Sequence, residues 1–415
     1  MIYRNIKQTT PLLFLFLLGC SLIGTSQTRK GNTVFFDTSI AADATPAVLA
    51  QFMKSDSKSI SEMKFEKGTY HFYPDKGLEI YAQLSNHNNG LAKTAFPILD
   101  RKNLTIDGQG ATFVFHGIII PFSVENSEDI KVVNLSIDWG MSFHSEGEIV
   151  AVDPVKKTFD MQISDAYPYE IRNGQLYFIK EYFEHNIGQS ILFDPKTTAI
   201  SYDTESYTSL TTRTKTKIQN NVKNIKYKYP VDPKAPENSR VGMEDKLIVE
   251  QLKPGLLRVF NHGKKIPEVG KILTMKGEQG QNRFAPAFHV VASKNFEAKN
   301  VNVHHACGMG IIVENSENLT LDNFNVTPSQ GRMVSTTADA THFVGCRGKI
   351  TIKNCTFNNQ LDDAVNVHGT YQEVVDILGE NSIGIKVGHY QQQGFSIGIP
   401  DDTIGLVNLH QSFFE

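Results

Sequence analysis

NLTLDNFNV, Asn318 to Val326, is the stretch that decides the architecture. Apolar residues alternate at Leu319 and Leu321, the alternation slips at Asn323, and it resumes at Phe324 and Val326. Period-2 runs on either side of a break describe two short strands, each burying one face. Asn323 stands where the chain must bend, and Asn tolerates the left-handed backbone of a tight bend. The pattern recurs without gaps in DIKVVNLSI from Asp129, NFEAKNVNV from Asn295 and KITIKNCTF from Lys349, and NLTIDGQGA from Asn103 matches its first half. The bends fall at Asn134, Asn300, Asn323 and Asn354. Repeat starts lie 26, 23 and 31 residues apart around one long interruption. Such periods with short strands and no helical pattern predict a solenoid whose coils stack to bury their apolar sides. Leucine-rich repeats share the period, but their signature leucines and helical half are missing. The expected fold is all-β: a right-handed parallel β-helix of pectate-lyase type, with asparagine above asparagine.

Working outward, ATPAVLAQFMK (Ala44–Lys54) reads as a helix with Thr45 as N-cap and Pro46 at the first helical position. Laid over the first coil, it covers exposed strand edges. Residues 32–140 hold this cap and the first coils. The repeat vanishes over 141–285, where EGEIVAV, KTFDMQI, GQLYFIK, KLIVEQL and GLLRVF alternate with polar turns. They predict an inserted antiparallel β domain, barrel-like in content, whose closure is not legible. Coils resume over 286–370, and 371–415 reads as the hairpins of a second β region.

The chain of 415 residues is 40% hydrophobic and 20% charged, enough for a sizeable core. Lys plus Arg number 41 against 44 Asp plus Glu, a formal charge of -3 with no basic stripe, which argues against a nucleic-acid partner. Residues 1–26 read as an export signal, with basic Arg4 and Lys7 and an apolar run, LLFLFLL, too short to span a membrane. LLGC ending at Cys20 resembles a lipobox, whereas GTS at Gly24–Ser26 has the form of ordinary cleavage. Either places the protein in the periplasm or at the cell surface, with any membrane contact through a lipid at Cys20. Cys307, Cys346 and Cys355 show no metal-ligand spacing and read as small core hydrophobes.

Three carboxylates stand beside strands: Asp339, and the adjacent Asp362 and Asp363. Placing the extra residues of the long coil in TPSQGRMVSTTA sets DATHFV over GMGIIV and under DDAVNV, with Asp339 stacked on Asp362. Neighbouring rungs are about 4.8 Å apart. Carboxyls on adjacent rungs then fall near the separations glycosidases use, about 5–5.5 Å for retention and about 6.5–9.5 Å for inversion. Turn-forming aspartates or a Ca²⁺ site are the competing readings.

TTADATHF, CRGKITI and DDAVNVHG, preceded by HHACGMG and ENSENLTL, resemble glycoside hydrolase family 110, the bacterial α-1,3-galactosidases. The likeness is specific over Phe288–Gly369 and weaker over Asn32–Trp139. It implies a secreted β-helix with β-barrel domains and a longer C-terminal region. The implied activity removes terminal α-1,3-linked galactose from blood-group-B-type and linear glycans, with inversion, without cofactor or metal. Its implied acidic trio is Asp339, Asp362 and Asp363. Single displacement would have Asp339 as acid and the pair activating water, the reverse assignment remaining open. Sugar contacts are expected from Arg332, His342, His368, the tandem His304 and His305, and Trp139, the lone tryptophan. A Ca²⁺-dependent β-helix polysaccharide lyase and a non-catalytic carbohydrate-binding solenoid are the alternatives.

Overall fold

Ten strands alternate between two sheets: β1 Lys102–Phe115, β2 Ile120–Glu125, β3 Glu128–Trp139, β4 Phe288–Val291, β5 Lys294–Val303, β6 Ile311–Glu314, β7 Glu317–Val326, β8 Thr341–Val344, β9 Arg347–Lys353 and β10 Val365–His368. Odd-numbered strands follow one another in one sheet and even-numbered strands in the other, every pairing among them parallel. This computed structural model describes residues 27–408 apart from 88, 203, 205–246, 261–265, 278–281, 330, 389–391 and 393–394. The export signal and Cys20 lie outside the described residues.

The asparagines are corners, as the repeat requires. Asn134, Asn300, Asn323 and Asn354 have φ of 57°, 54°, 53° and 57°. Their side chains form a ladder: Asn300 Nδ2 donates to Asn134 Oδ1 and Asn323 Nδ2 to Asn300 Oδ1, each at 3.0 Å. Each such bond contributes about 1 kcal/mol net. The ladder breaks at its last rung, where Asn354 donates to Asp322 at 3.0 Å. Two further corners escaped the sequence reading. One is at the strand heads Asn103, Asp129, Asn295 and Asn318, and the other lies between the sheets at Asn126, Ala292, Asn315 and Gly345.

Ala292 is the misfit of that last corner, at φ 48° where Asn126 and Asn315 hold 49° and 48°. A Cβ in the left-handed region crowds the following carbonyl and costs roughly 1–2 kcal/mol, which Gly avoids and Asn partly recovers. Ala292→Gly and Ala292→Asn are therefore expected to raise stability by about 0.5–1 kcal/mol. The readout is a higher urea midpoint at unchanged slope; a lower midpoint for both variants would show that the corner is not strained.

Inside, Phe96, Phe122 and Phe288 stack through the even-numbered sheet with ring centroids 4.5 and 4.7 Å apart. Each such pair is worth about 0.5–1.5 kcal/mol beyond its burial. Helix α1 (Thr45–Met53) buries Val48 and Phe52 against this core. Its N-cap is Ala44 rather than Thr45. The Thr45 hydroxyl instead accepts from Tyr73 N at 2.8 Å, so a tertiary contact claims the group that a local cap would have used.

Between β3 and β4 the chain leaves the coils, yet β3 pairs directly with β5 and β4 with β2, as though nothing intervened. Each of the five stretches expected as strands here contains a strand among its described residues. The main sheet runs Ala199–Ile200, Ser190–Asp194, Ile272–Met275, Ser145–Asp153, Thr158–Ile163, Leu256–Val259 and Val249–Lys253, all antiparallel, and Tyr169–Arg172, Gln175–Lys180 and Phe183–His185 form a second sheet. Among the described residues the main sheet is open, so barrel closure is not observed. After β10, Glu373–Gly379 and Ser382–Lys386 make an antiparallel hairpin. The insertion occupies one turn from the odd to the even sheet. The equivalent turns of later coils are 304–310, 327–340 and 354–364.

Candidate active site

Those turns carry the aspartates, at the point where each chain enters an even-numbered strand. The register is Thr341 opposite Val365 and His342 opposite Asn366, extended by Ala340 N donating to Asp363 O at 2.8 Å. Asp339 therefore lies beside Asp363, not Asp362 as the sequence alignment expected. Below, Ile311 pairs with Thr341, an offset of 30 rather than 31. The cause is a bulge: Glu317 pairs with Arg347 but Leu319 with Ile350, and Gly348 at φ 66° is the residue taken up in the strand. One of the extra residues of the long coil thus sits after β8 and not in the turn before it. A one-residue slip exchanges the faces of a strand, which is why the pairing partner changes.

The result is one motif on two successive rungs. Asp339 Oδ2 lies 2.7 Å from His342 Nδ1, and Asp363 Oδ2 accepts from Asn366 Nδ2 at 3.0 Å. Asp339 is buried, at 3% exposed, while Asp362 and Asp363 are exposed. Asp362 Oδ2 accepts from the Arg283 guanidinium at 2.6 Å. Arg283 also donates to the Asn86 carbonyl at 3.2 Å, and Asn86 Nδ2 lies 2.9 Å from His342 Nε2. A continuous path therefore runs Asp362, Arg283, Asn86, His342, Asp339. It draws on three separate segments: the loop of the antiparallel hairpin Leu78–Ala82 and Gly90–Leu99, the return from the insertion, and the turns that carry the aspartates.

Buried Glu314 fixes this hairpin loop, accepting from Ser85 N at 2.8 Å while its other oxygen lies 2.9 Å from His289 Nε2. Burial alone would raise its carboxyl, but His289 and Ser85 outweigh burial and hold it below the usual range. Lys276, also on the return from the insertion, donates to the Thr337 carbonyl at 2.9 Å. Burial, then the Arg283 charge, brings its ammonium down to about 8 against the pull of Asp362 and Asp339. Gly308, in the HHACGMG motif, has φ 136°, and a Cβ there would stand 2.2 Å from His87 Nε2. Only glycine lets that loop close over the coil.

His342 and His368 belong to this site, with their Nε2 atoms 2.9 Å apart. A cavity of about 270 Å³ opens beside them, lined also by Asn86, Asn366, Thr370 and Gln392. A larger cleft of about 430 Å³, beside Phe35, Lys64 and Glu66, shares no residue with it. Among the described residues no three His, Cys, Asp or Glu side chains are placed to hold a metal ion.

The other expected sugar contacts lie at the opposite end of the turns. His305 is fully buried, its Nδ1 donating to Ser335 O at 2.6 Å and its Nε2 accepting from Phe143 N at 2.9 Å. Both ring nitrogens are spent inside the protein, so His305 offers nothing to a sugar. Trp139 is 1% exposed and donates to the Gly117 carbonyl at 3.0 Å, a core residue with no free face. Arg332 is held by Asp138 at 2.6 Å and by the Trp139 carbonyl at 2.8 Å. His304 lies 3.0 Å from the Thr327 carbonyl. These side chains border a buried junction with the insertion, where Glu146 Oε1 accepts from Met333 N at 2.8 Å and Lys180 donates to the His144 carbonyl at 2.8 Å. Burial lifts the Glu146 carboxyl to about 7 and brings the Lys180 ammonium down to about 7.

Sequence reasoning missed Arg283, Lys276 and Asn86. They sit outside the repeat, in GQNRFAP, TMKGE and SNHNNG, so no periodicity marks them.

Residues 145–273 match the family described as GLAA-B beta-barrel domain I. Over 367 residues the chain is 33% identical to alpha-1,3-galactosidase A of Shewanella woodyi, covering 88% of this chain and 54% of that protein. It is 30% identical to alpha-1,3-galactosidase B of Parabacteroides distasonis (84% of this chain, 51% of the relative). Against alpha-1,3-galactosidase B of Akkermansia muciniphila the identity is 27% (89% and 42%). The chain spans about half the length of the curated relatives it matches. On these likenesses the chain is a homologue of the α-1,3-galactosidases, as the resemblance of its acidic motifs to glycoside hydrolase family 110 implies.

Proposed function

We propose that this chain carries the catalytic part of an exported, exo-acting hydrolase that releases terminal α-1,3-linked galactose with inversion. Its alternating parallel strands are read as a right-handed parallel β-helix that presents the aspartates along one turn. The observation that carries the reading is the register placing Asp339 beside Asp363, with Asp362 paired to Arg283 next to them. The names of the relatives point to the same bond.

In the proposed step Asp339 protonates the glycosidic oxygen as it leaves. Asp363 takes a proton from the water that attacks C1 on the opposite face, and Asp362, held in place by Arg283, orients that water or a sugar hydroxyl. A buried acid beside exposed carboxylates suits this division. Asp339 is 3% exposed and held beside His342, whereas Asp362 and Asp363 face the solvent that supplies the attacking water.

The test is incubation of the protein with a B-type trisaccharide, followed by proton NMR during hydrolysis. Free galactose appearing first as the β-anomer is the expected result. The α-anomer first would mean retention, and bound glycan with no galactose released would replace the hydrolase by a binding module.

A further inference from the structure

The return from the insertion grips Thr337 by both its carbonyl and its hydroxyl. Lys276 Nζ donates to the Thr337 carbonyl at 2.9 Å, and the Thr337 hydroxyl donates to the Asn282 carbonyl at 2.6 Å. Thr337 is fully buried and stands two residues before Asp339, in the turn that leads into β8. Arg283, adjacent to Asn282, holds Asp362 on the next turn. The same segment is moored to the insertion itself. Lys276 N donates to the Gln189 carbonyl at 3.0 Å, Gln189 N to the Gly277 carbonyl at 2.8 Å, and Asn282 Nδ2 to Gln189 Oε1 at 3.1 Å. Two successive turns of the coils are thus fastened to one piece of chain that belongs to neither. Lys276 is its unusual member, a lysine only 7% exposed whose ammonium meets a carbonyl. Burial, then the Arg283 charge, brings that ammonium down to about 8, while Asp362 and Asp339 pull it back as nearby charges. A long buried cation is unfavourable for folding, so its place on this one carbonyl asks for a reason other than stability.

We propose that Lys276 and Thr337 are positioning residues that clasp the Asp339 turn to the segment holding Asp362, and so set where the acid stands against the glycosidic oxygen. The proposal rests on the reading of Asp339 as the acid. The turn also bonds to the coils on either side, through Ala338 N to the Gly308 carbonyl and Ala340 N to the Asp363 carbonyl, each at 2.8 Å. Those bonds stack the turn on its neighbours. The two bonds at Thr337 come instead from the insertion, and losing them frees the turn without removing its coil contacts. A reacting group misplaced by about 1 Å can cost on the order of 10²-fold in rate, so a clasp of two hydrogen bonds is enough to matter. On this account the inserted domain is part of the active site: Lys276 and Asn282 fix the acid's turn, and Arg283 fixes Asp362.

The experiment compares Lys276→Met and Thr337→Val, which keep the bulk and remove the donor, with Thr337→Ser, which keeps the hydroxyl. On an unactivated α-1,3-galactoside the Met and Val variants are expected to lose roughly 10–100-fold in kcat, and the Ser variant to stay near the parent value. On an aryl galactoside whose leaving group needs no proton, all three should stay near the parent, whereas a merely structural lesion would lower both substrates alike. Hydrogen exchange read by mass spectrometry follows the turn itself. Faster exchange over residues 335–342 is expected in the Met and Val variants, with β5 and β7 as protected as in the parent. Should Lys276→Met fail to fold, the Thr337 pair decides alone. Unchanged exchange over the turn, unchanged kcat on the unactivated substrate, equal losses on both substrates, or a Ser variant as impaired as Val would each overturn the clasp. Faster exchange over the turn, in a protein whose parent releases no galactose, would support the clasp and overturn the hydrolase reading instead.

Discussion

Asp339→Asn, Asp362→Asn and Asp363→Asn are each expected to lower kcat on an α-1,3-galactoside by about 10²–10⁴-fold, the range for loss of a general acid or base. The three should differ in how they fail. Asp339→Asn removes the transferable proton while keeping a side chain of the same shape beside His342 Nδ1, 2.7 Å away in the parent. Its defect should shrink on aryl galactosides with good leaving groups, where no proton is needed. Asp363→Asn preserves shape at an exposed position but leaves water unactivated, so its defect should persist on every leaving group. Asp362→Asn weakens the 2.6 Å pairing with Arg283, freeing a guanidinium that also holds the Asn86 loop, and so should raise KM as well as lower kcat. Steady-state kinetics on both substrate types, with urea midpoints as the control for folding, make the measurement. Wild-type kcat in both Asp362→Asn and Asp363→Asn would remove the pair from the mechanism.

The second large effect concerns acid stability. His87, His144, His185 and His305 are buried, at 5%, 0%, 0% and 0% exposed. Burial pushes the His87 imidazole down to about 3. It holds the other three well below the usual 6.5, with nearby cations such as Lys180 and Arg332 adding to the effect. In the unfolded chain all four titrate near 6.5. Below that pH the unfolded state binds more protons, so the stability these groups contribute is fully present above 6.5 and is lost as pH falls towards 3. Glu146 acts in the opposite sense. With its carboxyl lifted to about 7 by burial, the folded state binds the extra proton between 4.5 and 7, which offsets one histidine. Three net protons correspond to at most roughly 4 kcal/mol per pH unit, a large share of a typical folding free energy. Urea midpoints at pH 7.5 and 5.5 test this. A fall of several tenths of a molar or more is expected, and equal midpoints would mean the buried rings are already charged or reach water.

How legible was all this in the linear chain? Corner asparagines announced themselves because a left-handed bend is a local demand that few side chains meet, and the apolar alternation around them is equally local. Those features were enough for an all-β chain whose repeated strands pair in parallel around a long interruption, and for the three aspartates as candidates. Motifs around Asp339 and Asp362 carried the galactosidase resemblance for the same reason: they are contiguous.

Register was not legible. Whether an extra residue is absorbed in a turn or as a bulge at Gly348 depends on packing against the rung below, and that one residue moved Asp339 from Asp362 to Asp363. Nor could the order of residues reveal that both ring nitrogens of His305 are spent on Phe143 and Ser335, which come from distant segments, whereas Trp139 simply continues the inward alternation of Leu135 and Ile137. Arg283 meets Asp362, Asn86 meets His342 and Lys276 meets the Thr337 carbonyl only because the insertion and a hairpin loop come to the same turn. Short-range backbone preference wrote the scaffold into the sequence. The surroundings of the aspartates came from contacts between segments as much as 256 residues apart, Asn86 and His342, which nothing local encodes.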